Sequence, residues 1–172
     1  MSDEDYAAIC QRIGAVVLCW AHAENALDLC LAIFVRDFPL INAKKPFPVS
    51  LSRKLDLFEK ALDSIKALER IQADGHSLHK RFMALKEHRH NVVHGIAWQA
   101  LGDTLGMARM LVVNGNPVFA TGRQEVGNVN ALIAEVGQLM DEAVHFFFMV
   151  SGMFPDPPGG QVIQRKAREQ EP

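Results

Sequence analysis

Between Asp5 and Val35 the side chains Ile13, Val17, Trp20, Leu27, Leu31 and Phe34 return in alternating steps of three and four. At about 3.6 residues per turn, that spacing draws one apolar stripe down a single long helix, which other elements must cover. The acidic residues after Ser2 suit the start of this helix, where its dipole is positive. Pro39, Pro46 and Pro48 then favour an extended loop, because proline lacks the amide donor a helix needs.

The same period returns three more times. A second helix is expected from about Ser52 to Leu68, burying Leu55, Phe58, Leu62 and Ile65. Asp74-Gly75 reads as a turn. A third helix then runs to His94, with Leu78, Phe82, Leu85 and Val92 inward and Gly95 at the C-cap position. Beyond it, Ile96 to Leu101, Leu105 to Val113 and Val118 to Thr121 lean towards β structure. Gly102-Asp103 and Asn114-Gly115-Asn116-Pro117 mark the turns between them. A fourth helix is expected from about Asn128 to Met153, burying Leu132, Val136, Leu139, Ala143, Phe146 and Val150. The expected fold is therefore all-α, an antiparallel four-helix bundle with a small β-hairpin or meander inserted between helices three and four. It forms one domain over residues 1–154, with the insert near 96–122. The Pro-, Gly- and charge-rich residues 155–172 are expected to form a disordered tail.

Composition limits what such a bundle does. Of 172 residues 49% are apolar, enough to offset ordering entropy without covalent staples. A formal charge of -2 argues against a whole-surface grip on nucleic acid, so any RNA contact must be local. The acidic start is unlike a signal peptide, and runs such as Ala143 to Val150 are short for a membrane span, so no membrane association is expected. Cys10, Cys19 and Cys30 fall on one helix, the closest pair more than about 10 Å apart, too far to bridge. They read as reduced, packed thiols of a cytoplasmic protein.

The third helix ends in a cluster of chemistry-bearing groups: Glu87, His88, Arg89, His90, Asn91 and His94. Attack of a ribose 2′-hydroxyl on phosphate needs a proton acceptor, a proton donor and a cation facing the phosphate. Histidine suits the first two, since its ordinary pKa lies near about 6.5. Arginine suits the third through its fork of donors. Residues five apart lie about 140° round a helix, so Arg89 and His94 do not share one face. An irregular helix end, the length of Arg89 or a symmetric dimer would bring them together. The same residues also suit a solvated helix end, with His94 at the negative end of the dipole. Glu24 falls on the core stripe between Trp20 and Leu27, where a carboxylate needs a partner; Arg89 or a motif histidine is the expected one.

Other patterns compete. Glu87-His88-Arg89-His90 and Glu142-Ala143-Val144-His145 both read Glu-x-x-His, with Glu24 and Glu59 on the other two helices, a set that di-iron bundles use. A lone zinc on His90 and His94 has the spacing but no obvious further ligands. Lys44, Lys45, Arg53 and Lys54 read as solvated loop charge. Lys80, Arg81 and Lys86 share the helix of the cluster and are better placed to meet RNA phosphates. Trp20 reads as core, and Trp98 either packs on the bundle or stacks on a base.

The run Arg89-His90-Asn91-Val92-Val93-His94 resembles the signature of the HEPN superfamily, an arginine, then a polar residue, then a histidine a few positions on, at the end of a bundle helix. Arg89 matches the arginine, His90 the polar position and His94 the histidine. The resemblance implies a dimeric, metal-independent endoribonuclease of toxin–antitoxin, phage-defence or RNA-processing systems. In it Arg89 would hold phosphate, His94 would move protons, and His90 would assist, with Glu24 and Asn91 in support. Lys86 and Arg81 would then touch RNA. It implies no cofactor and no metal, RNA and a second copy as partners, and an antitoxin protein if the chain is a toxin. Some relatives are non-catalytic modules that bind nucleotide, RNA or protein. The branch paired with nucleotidyltransferase antitoxins carries a tyrosine two residues after the histidine. Here that position is Ile96, so control by modifying that tyrosine has no residue to act on.

Overall fold

A computed structural model describes the backbone of residues 3–38, 41, 46–94, 96–101, 104–113 and 116–155. Within that span the side chains of residues 3, 5 and 93–128, other than Asn116 and Val118, lie outside the description. The elements in order are α1 (Asp3–Asp37), α2 (Leu51–Ser64), a short 3-10 segment (Lys66–Ile71), α3 (Gln72–His94), β1 (Ile96–Leu101), β2 (Thr104–Val113), β3 (Asn116–Glu125) and α4 (Val126–Met153).

The stripe of α1 runs through Val16, Trp20, Ala23, Leu27, Leu31 and Phe34, all buried. Val17, expected on it, is 40% exposed. A step of one residue turns about 100° round the helix, so taking Val16 moves Val17 off the face. By length and composition the segment Tyr6–Asp37 is apolar enough to cross a membrane, unlike the short apolar runs on which the sequence expectation rests. In this bundle, however, its stripe packs against the other three helices.

Two local expectations for the middle of the chain are corrected. α2 stops at Ser64 rather than Leu68, because Ile65 takes up extended backbone (φ -93, ψ 99). The 3-10 segment after it keeps Leu68 and Ile71 inward. Asp74-Gly75 is no turn but part of α3. Gly75 is buried, and a Cβ there would collide with both methyls of Leu62 and press on the Phe146 ring. The glycine serves close helix approach, not chain reversal.

The helices form a bundle, though not an antiparallel one throughout. Ile9 packs with Val129 near the starts of α1 and α4, and Phe38 meets Phe154 edge-on past their ends, so the two run parallel. α2 follows α1 in the same sense, with Lys54 beside Glu24, Phe58 on Phe34, and Lys60 donating to the Ile41 carbonyl. α3 opposes α4, as Arg81 against Glu142 and Asp74 near Met149 require. Residues 38–50 connect α1 to α2 and, at about 3.3 Å per residue, are long enough to carry the chain back along the bundle. The antiparallel order expected from the sequence therefore holds for α3 against α4 but not for α1 with α2 or α4.

Between α3 and α4 the three strands pair antiparallel in the order β1-β2-β3. β2 and β3 pair without a break from Thr104–Glu125 to Val113–Asn116, whereas β1 shifts register between Ala97 and Gln99. β2 touches α3 and β3 touches α4, which holds the sheet at the end of the bundle where α3 finishes. Pro39, Lys44, Lys45, Gly95, the turn pairs Gly102-Asp103 and Asn114-Gly115, and the tail from Asp156 lie outside the described residues.

Candidate functional site

Arg89 continues the inward stripe of α3: Leu78, Phe82, Leu85, Arg89 and Val92 are spaced four, three, four and three. A charged residue on that stripe is drawn towards the core, and Arg89 is half-buried with its guanidinium over the Trp20 ring, 5.9 Å from the centroid. That distance falls within the reach of a cation–π contact. Arg89 Nε is buried and has no hydrogen-bond partner among the described residues. An orphaned buried donor costs about 1–3 kcal/mol, so the described residues leave this position of Arg89 unsatisfied.

Glu24 has partners, but not those expected. Trp20 Nε1 donates to its Oε2 at 3.2 Å, and Lys54 Nζ donates to its Oε1 at 2.9 Å. Lys54 also donates to Asp28 Oδ2 at 2.7 Å. The carboxylate therefore pairs with an ammonium of α2, and among the described residues Trp20 links it to Arg89. Lys54 is correspondingly no loop charge: it lies in α2, almost fully buried, and continues the stripe of Phe58, Ala61 and Ile65. A charge on the inner face of α1 opposite one on the inner face of α2 was the signal that could have identified the pair.

Of the other site residues, His90 and Asn91 are exposed beside the half-buried Arg89, and both interact with neighbours. The backbone of His94 ends α3, but its side chain lies outside the described residues, as does that of Trp98 at the register shift of β1. Lys86 is half-buried, its Nζ 3.7 Å from Met83 Sδ. Arg81, expected to meet RNA, donates to Glu142 and Gln138 and so ties α3 to α4. That bond also engages Glu142, one of the carboxylates the di-iron pattern requires. Among the described residues no group of three or more His, Cys, Asp or Glu is placed to hold a metal. The thiols differ from the expectation of uniform packing: Cys30 is buried, Cys19 half-buried and Cys10 exposed.

The arrangement is chemically a fixed, partly desolvated cation beside two exposed polar groups at the end of a helix. Compared with known protein families, curated proteins and solved structures, the chain has no significant match.

Proposed function

We propose that the chain is a metal-independent endoribonuclease of HEPN type, acting inside the cell as a toxin or phage-defence effector. The observation that carries this reading is Arg89, whose guanidinium lies over an aromatic ring and whose buried Nε has no partner among the described residues. Arg36, Lys54 and Arg81 are each matched to a carboxylate. A cation that has no carboxylate partner among the described residues suits the anionic phosphate of a nucleic acid.

In the proposed reaction the 2′-oxygen forms a bond to phosphorus while the bond from phosphorus to the 5′-oxygen breaks. One group takes the proton of the 2′-hydroxyl and another returns a proton to the leaving 5′-oxygen, leaving a 2′,3′-cyclic phosphate and a 5′-hydroxyl. His94 is assigned to one of these transfers, His90 assists, and Arg89 stabilises the charge that builds on the phosphate oxygens. One motif supplies only part of an acid–base pair, so a homodimer with a composite site belongs to the proposal.

The test is cleavage of end-labelled RNA in EDTA by wild type and by His94→Ala. Cleavage by wild type alone, leaving cyclic phosphate ends, is the expected result. RNA binding without cleavage by either protein would replace the enzyme with a non-catalytic binding module. Cleavage that His94→Ala retains would remove the motif from the reaction.

A further inference from the structure

Arg89 reaches its place from α3, yet what it rests on belongs to α1. Trp20 is 1% exposed, its ring packs edge-on against Phe82 at 5.7 Å, and its indole N–H is taken by Glu24. Glu24 is in turn held by Lys54, which also grips Asp28 one turn further along α1. The indole is thus held on one side by core packing and at its N–H edge by a carboxylate, which a lysine from a third helix holds in turn. A guanidinium has a flat face and in-plane donors. A guanidinium held over a fixed ring, as Arg89 is with its central carbon 5.9 Å from the Trp20 centroid, gives up no donor to that contact, whereas a carboxylate partner would occupy the donors a phosphate needs.

We propose that Trp20 is the positioning residue for Arg89, and that Glu24, anchored by Lys54, holds the indole in the orientation this requires. The inference rests on reading Arg89 as the phosphate-binding group. It assigns Glu24 a role different from direct pairing with the motif: Glu24 acts on Arg89 through Trp20.

The decisive measurement is steady-state cleavage of a short RNA by wild type, Trp20→Phe, Arg89→Lys, the double variant, Glu24→Ala and Glu24→Gln, with a thermal melt of each. Trp20→Phe keeps a ring but loses the N–H that fixes it. It is expected to lower kcat about tenfold with a smaller change in KM, as a misaimed transition-state contact does. The double variant should lose no more than Arg89→Lys alone, because both changes act on one group. Glu24→Gln still presents a carbonyl oxygen to the indole N–H and should recover most of what Glu24→Ala loses.

Losses that add in the double variant overturn the inference, as does failure of glutamine to recover activity. If Trp20→Phe does not fold, the two Glu24 variants decide. Should wild type cleave while these arms fail, only the positioning role falls. If wild type neither cleaves RNA nor binds its 2′-O-methyl copy, the ribonuclease reading falls and the positioning role with it.

Discussion

Lys54 sits almost buried between Glu24 and Asp28 in a cluster of three charges that joins α2 to α1. A buried ammonium is costly unless its donors are satisfied. Here burial works against the charge, but the hydrogen bonds to Asp28 and Glu24, together with their charge, outweigh it and hold the proton more tightly than in free lysine. Lys54→Met keeps the apolar stem and leaves two carboxylates facing each other. It should lower stability by about 2 kcal/mol in urea unfolding, less than for a fully buried pair because both carboxylates reach water. The folded pKa of Lys54 lies above the unfolded one, so its contribution is complete below about 10.5 and is lost as pH climbs through the folded value. Wild type should therefore lose stability above that pH, and Lys54→Met should lose less. At this scale the sequence exposed the anomaly of Glu24 but not its partner. Spacing identifies a carboxylate on an inward stripe, whereas its counter-charge lies on another helix.

The helices were legible because burial on one side imposes a period. All six inward positions read for α4 and all four read for α2 are buried. What misled was local chemistry read without its neighbours. Asp74-Gly75 has turn composition, yet it continues α3, since Gly75 lets α3 approach Leu62 and Phe146 closely. The two effects of Gly75→Ala oppose each other: alanine favours helix by about 1 kcal/mol, while overpacking a core costs about 1–3 kcal/mol. Leu62 is 2% exposed and has little room to withdraw. Overpacking should win, leaving Gly75→Ala about 1 kcal/mol less stable and Gly75→Val considerably worse by urea denaturation. A gain in stability on alanine substitution would mean that Leu62 yields freely. Ile65 makes the same point at the end of α2, where extended backbone interrupts a pattern whose inward side chains continue into the 3-10 segment.

Across the whole molecule, α1 makes its most extensive packing with α4, running parallel to it, and contacts α2 and α3 as well. Cys30 lies in this shared core, where burial pushes its thiol up to about 12. The thiolate is the reactive form, so in the native protein Cys30 is both enclosed and unreactive. In a Cys10→Ser, Cys19→Ser background its labelling at neutral pH should therefore require unfolding and follow the denaturant dependence of global stability. Rapid labelling of the native protein would show that the core opens locally around α1. Periodicity by itself determined that there are four main helices and which of their faces are apolar, because both follow from the turn of one helix and the avoidance of water. It could not determine the sense in which helices run, since a stripe looks the same from a parallel or an opposed neighbour. Nor could it determine which inward charge meets which, because Lys54 and Glu24 are 30 residues apart and only the return of the chain after α1 brings them together. The tertiary structure decided both, and with them the surface on which Arg89 rests.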